Sequence, residues 1–458
     1  MKGQKMNAMA YAYDTREESL KQLKAFLRIP SISTLSEHEA DMQEAAKWLA
    51  DELQRIGLEN VTISPTGGHP MVYADWLHAP GAPTVLLYGH YDVQPADPLA
   101  LWDTPPFEPT ERDGKLYARG AADDKGQLFV HVKALEALMQ ADGRLPVNVK
   151  CMFEGEEEVG GVHLDQWIEA HKELLKADVA VISDTHILSE EQPTIVYGLR
   201  GLSYLEVHIQ AAKSDLHSGI YGGAVHNPIQ ALAELIAQLH DQNGRVTVPG
   251  FYDKVLPLEE AERAELARIP YSEETLIHET GVTMAWGEKE YTVVERVSAR
   301  PTLEMNGIWG GFAGEGAKTV LPAKAGAKLS MRLVPNQDPD EIAQLVTEHL
   351  TRLAPPTVRI EVRNLHGGDG AIIPRDIPSM EAARQAYEEV FDTPPIFVRE
   401  GGSIPVVATL QKKLGIHTVL MGFGLPDDNL HAPNEKFSIA MFYKGIETAI
   451  RFYQKMAQ

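Results

Sequence analysis

Four apolar runs of this 458-residue chain end in side chains that can do chemistry. The run 84–88 leads into Gly89-His90-Tyr91-Asp92, 147–153 into Glu154-Gly155-Glu156-Glu157-Glu158, and 179–182 into Ser183-Asp184. The last, 417–423, leads to a loop holding Asp427-Asp428-Asn429-Leu430-His431. A further carboxylate pair, Asp123-Asp124, stands just ahead of Leu128, Val132, Leu135 and Met139, whose spacing is helical. Singly, each has a plain structural reading. His90 is a satisfied strand-end group, 154–158 a solvated turn, Asp184 a cap or turn, His431 a loop residue, and Asp123 an acidic N-cap. Jointly they read differently, because crowded carboxylates repel one another unless cations neutralise them.

Nitrogen and oxygen ligands without thiolate suit zinc, manganese or cobalt, and two cations can share a bridging carboxylate. Two such cations about 3.5–4 Å apart would polarise a carbonyl and deprotonate a water between them. A carboxylate left free beside them would shuttle the proton. Glu157 or Glu158 can do this while the other binds metal, provided the backbone turns there, since strand neighbours point opposite ways. Asp92, two residues after His90, can hold that ring by its second nitrogen. A helix beginning after Asp123 would stabilise its charge.

The elements needed to position these groups follow from the pattern. Leu20, Leu23, Phe26 and Leu27 form one helical face, Pro30 breaks it, and 39–56 is amphipathic again. Apolar runs then alternate with helical patterns, which predicts a mostly parallel α/β sheet with helices on both faces. Ligands of such sheets gather beyond the carboxyl ends of the strands, where the residues above fall. From 201 the character changes. A half-exposed strand (202–211), a helix (227–239), an irregular charged segment (241–300), strands at 325–334 and 357–362 and a helix at 338–353 predict an inserted α+β domain. Helices at 379–391 and 439–456 and the strand 417–423 return to the first architecture. The expected division is 1–200 and 370–458 for the catalytic domain and 201–369 for the insertion, docked through two short hinges.

Composition narrows the class. A hydrophobic content of 44% with 23% charged residues is that of a soluble globular protein. A net charge of −23 argues against nucleic acid or an anionic membrane as partner. One cysteine, Cys151, excludes an intrachain disulfide. With no apolar stretch of signal-peptide or membrane-spanning kind, the expected location is cytoplasmic. Residues 311–319 look like a phosphate loop, but Ala317 occupies the lysine position. Ser218 and Ser403 lack the GxSxG context of a serine hydrolase, no HExxH is present, and Cys151 sits inside an apolar strand.

The pieces GHYDVQP, RGAADDKGQ, FEGEEEVGG, ISD, SDLHSGIYGG, GAKTVLPAKAGAKLSMRLVPN, REGGSIPV and DDNLHAPNEKF occur in that order. Together they resemble the dinuclear-zinc metallopeptidases that include cytosolic non-specific dipeptidase, carnosinase, glutamate carboxypeptidase and the acetylornithine and succinyl-diaminopimelate deacylases. The segment 241–300 and Asp184, where many deacylases carry Glu, resemble the dipeptidase–carnosinase branch. Gly161 departs from the Ser of many relatives. The resemblance implies two divalent metal ions, zinc foremost, with manganese or cobalt as alternatives. It implies His90 and Asp184 as ligands of one metal, Glu158 and His431 of the other, and Asp123 as the bridge, with the following peptide bond often cis. Glu157 matches the general base acting on a metal-bridged hydroxide, and Asp92 the support of His90. His217 resembles a histidine lent to the neighbouring subunit's site, where it stabilises the oxyanion. Thr319, Arg332, His366, Gly402 and Ser403 match positions that hold the substrate backbone or carboxylate. The implied protein is a dipeptidase, homodimeric through the inserted lid. Its alternatives are a deacylase of N-acyl amino acids, a non-catalytic scaffold and a phosphoesterase.

Overall fold

The computed structural model describes residues 7–402 and 404–458. Its contacts divide the chain into two units. One comprises Met1–Tyr197, Ile373–Val398 and Val406–Gln458, the other Gly198–Ile372 with Arg399–Pro405. The short segment Arg399–Pro405, which the sequence reading placed with the returning catalytic part, clusters with the second unit.

The first unit is built on a mixed sheet. Its centre is parallel: Asn148–Glu154 pairs with Thr84–His90, which pairs with Val179–Ile182, which pairs with His417–Leu420. These four strands are nearly continuous in apolar residues and buried on both faces. The flanks are antiparallel. Met71–Trp76 pairs with Asn148–Glu154, Glu59–Ser64 adds outside it, and Thr194–Leu199 meets His417–Leu420 at Leu420 and Val196. The fold is therefore α/β as expected, with a parallel centre inside a mixed sheet.

The helix Lys125–Asp142 is buried from Lys125 to Leu138, because Arg16–Leu27 and Ile439–Met456 pack along it. Gly143, left-handed at φ +69°, ends it. At its start, Gly126 lets the backbone approach closely: a Cβ there would lie 1.9 Å from the Ala121 carbonyl oxygen. That contact folds the preceding loop against the first turn of the helix.

The second unit has a four-stranded antiparallel sheet in the order Thr302–Gly310, Lys324–Leu333, Gly201–Gln210, Arg359–Gly368. Buried and half-buried residues alternate along Gly201–Gln210, so one face is core. Against it lie the helices Pro228–Ala237 and Pro339–Leu353, each with Pro in the first turn and capped by Asn227 and Asp338. The segment 241–300, expected to be irregular, contains the helices Glu260–Leu266, Glu273–Thr280 and Val293–Ser298. They close a small core of Leu266, Val294 and Ala299. Residues 311–319 run into the short strand Val320–Leu321 and not into the helix that a phosphate loop must open, which removes that reading. No described helix is long and apolar enough to cross a membrane.

Candidate metal centre

The carboxyl ends of the parallel strands converge with two loops. His90 closes its strand, fully buried. Asp184 follows Val179–Ile182 by two residues, and Asp123 lies just before the helix Lys125–Asp142. Glu157 and Glu158 stand in a single 3-10 turn, Glu157–Val159, so the backbone turns there, the condition under which one could hold a cation while the other stays free. His431 sits in the loop after His417–Leu420 with φ +57°, a left-handed backbone uncommon outside glycine and often met at functional sites.

Asp123 is the meeting point. Its Oδ1 lies 3.1 Å from His90 Nε2, and its Oδ2 lies 2.9 Å from His431 Nε2. His90 Nε2 is also 3.9 Å from Asp184 Oδ2, and His431 Nε2 is 3.3 Å from Glu158 Oε2. Two candidate ligand groups result, each close enough to hold a cation, one of His90, Asp123 and Asp184 and one of Asp123, Glu158 and His431. The peptide between Asp123 and Asp124 is cis.

The surroundings hold these groups in place. Nδ1 of His90 donates to the main-chain carbonyl of Asp92 at 3.1 Å, with the Asp92 carboxylate 3.3 Å away. That carboxylate accepts from Ser33 Oγ at 2.7 Å and from the amides of Glu157 and Glu158 at 3.3 and 3.1 Å. Asp124, the residue preceding the helix, makes no side-chain cap bond; its Oδ2 accepts the His90 amide at 3.1 Å. Gln94 donates to Glu158 Oε2 at 2.8 Å. Gln94 and Glu435 had no assigned role in the sequence reading, although both stand inside the quoted motifs GHYDVQP and DDNLHAPNEKF.

The donor set fits divalent cations. His90 Nε2 and Glu158 Oε1 are buried without a hydrogen-bond partner, although opposite charges stand beside them, as expected of atoms arranged for a metal rather than for each other. Burial, then the charges of Asp123 and Asp124, push Asp184 well above the carboxylate range. Burial likewise carries Asp124 to about 8 and Glu157 to about 7. Burial also works against Asp123, yet His431 and His90 hold it below its ordinary range. Asp123 and Glu158 in turn raise His431 to about 10. Carboxylates crowded and buried in this way are ones whose charge a bound cation would stabilise.

The remaining sequence-predicted residues that the structure describes lie in the second unit. His217 and Thr319 adjoin at a short ribbon, Leu216–His217 against Val320–Leu321, on which His217 is exposed and Leu321 buried, with the Ser218 amide donating to the Thr319 carbonyl at 3.0 Å. Arg332 and His366 come from the two strands flanking Gly201–Gln210, opposite Leu202 and Tyr204. Leu202 and Tyr204 share the half-buried face, so Arg332 and His366 share it too. The ring of His366 stacks on Tyr204 at 5.2 Å. Gly402 is exposed, and Ser403 lies outside the described residues. Cys151 is fully buried, and burial raises its thiol well above the usual range, as an inert core group requires.

Comparison with known proteins identifies the family. Residues 86–455 match the model of Peptidase family M20/M25/M40. The Cys-Gly metallodipeptidase dug1 of Schizosaccharomyces pombe is 34% identical over 96% of both chains. The human Beta-Ala-His dipeptidase is 33% identical over 97% of this chain and 91% of its own length. Among solved structures, the M20 family metallo-carboxypeptidase Sso-CP2 from Sulfolobus solfataricus superposes with a TM-score of 0.85 at 34% identity, covering 96% and 99% of the two chains. The chain belongs to the M20/M25/M40 peptidase family, a family of metal-dependent hydrolases.

Proposed function

We propose that this protein is a dipeptidase that hydrolyses the peptide bond of dipeptides or short peptides at a two-cation centre. Two of the relatives named above are dipeptidases by name, and one observation carries the chemistry: Asp123 turns its two oxygens to two different histidines, each with its own further carboxylate. His90 and Asp184 would hold one cation, Glu158 and His431 the other, and Asp123 both; zinc fits this nitrogen–oxygen set, with manganese or cobalt as alternatives. When bound, the cations would polarise the scissile carbonyl and acidify a water.

The other steps belong to the chain's own residues. Glu157 is outside both ligand groups yet adjacent to Glu158 in the same turn. It takes a proton from the attacking water and returns it to the leaving amine. Asp92 keeps the His90 ring and the Glu157–Glu158 turn in one arrangement. Arg332 and His366, on one face of the second unit's sheet, hold the substrate carboxylate and backbone together with Thr319, Gly402 and Ser403. His217 supplies a hydrogen bond to the developing oxyanion of a partner subunit's site. A homodimer through the second unit accords with the exposed Ile220, Tyr221, Ile308, Trp309 and Phe312 there. A reducing, cytoplasmic setting accords with a single buried cysteine.

The test is a substrate panel on purified protein supplied separately with zinc, manganese and cobalt. The panel sets dipeptides beside a tripeptide, acetylornithine and nitrophenyl phosphate. Turnover of dipeptides in preference to the rest is expected; turnover confined to acetylornithine would make the protein a deacylase.

A further inference from the structure

Glu435 belongs to neither ligand group and to no step described above. It follows His431 by four residues and is fully buried. Both of its oxygens are engaged, and all the donors come from the stretch between Arg119 and Asp123. Oε2 accepts from Arg119 Nη1 at 2.7 Å and from the Gly120 amide at 3.0 Å. Oε1 accepts from the Ala122 amide at 3.0 Å and the Asp123 amide at 3.2 Å. The Glu435 carbonyl takes the Ala118 amide at 3.1 Å. The loop is thus folded round a carboxylate as a backbone nest folds round a bound anion. Arg119, equally buried, balances the charge and anchors its other nitrogen on the Pro95 carbonyl at 3.0 Å.

The amide that Glu435 holds belongs to the residue whose carboxylate meets both histidines. We propose that Glu435 is a positioning residue for the cation centre, fixing the backbone of Asp123 relative to the loop of His431 so that the two Asp123 oxygens reach the two ligand groups. This rests on the reading of Asp123 as a carboxylate shared by two cations. Glutamine is nearly isosteric with glutamate but replaces one acceptor with a donor. Whichever way its amide turns, two of the four donors then face an N–H.

The experiment is a Co2+ titration of the full-length wild type, Glu435→Gln and Glu435→Asp, read by visible absorption and by chelator competition, with circular dichroism to report folding. The wild type is expected to take two Co2+. Folded Glu435→Gln is expected to bind roughly 10- to 100-fold more weakly, with displaced cobalt bands. A purely structural role would lower the melting temperature and leave band positions and affinity as in wild type, and that result overturns the proposal. Should Glu435→Gln not fold, Glu435→Asp, which keeps the charge opposite Arg119 but is one methylene short, is read by the same two criteria. A wild type that takes fewer than two Co2+ would instead overturn the shared-carboxylate reading.

Discussion

Asp92 Oδ2 accepts the backbone amide of Glu158 at 3.1 Å. Through its other oxygen, 3.3 Å from both the Glu157 amide and His90 Nδ1, the same carboxylate joins a strand end to a turn from elsewhere in the sheet. Asparagine cannot serve both amides, because its NH2 must face one of them. Asp92→Asn is therefore expected to weaken cation binding and turnover together, by roughly 10- to 100-fold each. Chelator competition beside steady-state kinetics checks it. Wild-type affinity in the variant would restrict Asp92 to a fold-supporting role.

Glu157 differs from its neighbour by being free of both ligand groups. Glu157→Gln is expected to lower kcat by about 10²- to 10⁴-fold while metal content and KM stay near wild type. Atomic-absorption counts on the same samples used for kinetics separate loss of the base from loss of metal. Near-normal kcat with full metal would rule out the proton-transfer role.

The two adjacent aspartates predict an asymmetric pair of variants. Asp123→Asn removes charge from the point where both histidines converge, and both cations should bind more weakly. Asp124→Asn keeps an oxygen able to accept the His90 amide, the bond that Asp124 makes here. Its cation affinity should fall less. Equal losses by isothermal titration would contradict the assignment of the shared carboxylate.

His217 is exposed on a short ribbon of the second unit. His217→Ala is expected to keep its metal and lose turnover. If the side chain serves a partner's site, unfolding and refolding it in an equal mixture with Glu157→Gln restores about a quarter of wild-type activity, since half the dimers are hybrids with one intact site each. An inactive mixture in which hybrid dimers are demonstrated would exclude sharing.

A stability prediction comes from His131, fully buried in the helix behind the site. The Ser183 hydroxyl donates to the Met421 carbonyl at 2.5 Å, so its oxygen accepts from His131 Nε2 at 2.7 Å. The ring is thereby satisfied in its neutral form, and burial lowers its pKa from 6.5 to about 3. Above pH 6.5 this group is neutral in both folded and unfolded chains. Below it the unfolded chain takes up a proton that the fold refuses, so stability falls by about 1.4 kcal/mol per pH unit until the folded pKa is reached. Denaturant titrations at pH 7 and pH 5 should show wild type losing about 2 kcal/mol more than His131→Gln. Parallel losses would refute it.

The parallel centre of the sheet was legible because its strands are unbroken apolar runs, and most of the candidate ligands stood out because they follow where those runs stop. The edge strand Glu59–Ser64 was not: its residues are exposed or half-exposed with no strict alternation, since only one neighbour covers it. The helices of 241–300 are short and have small buried faces, so periodicity fails, although Thr292 and Glu295 carry a capping box that marks one of them. Glu435 and Gln94 were visible as letters but not as parts of the site. Their role depends on which loop they meet, and the Glu435 carboxylate meets donors more than 300 residues earlier in the chain.

The order of strands has a consequence for biosynthesis. His417–Leu420 lies in the interior of the sheet, between Val179–Ile182 and Thr194–Leu199, although the ribosome delivers it long after both of those neighbours. Until then the nascent chain carries a gap where an inner strand belongs, with an unpaired apolar rim along Val179–Ile182. His431 and Glu435 arrive later still. A chain halted before residue 417 therefore lacks both the strand that fills the sheet and His431, one of the five candidate ligands, and exposes an apolar strand edge of the kind chaperones cover during synthesis.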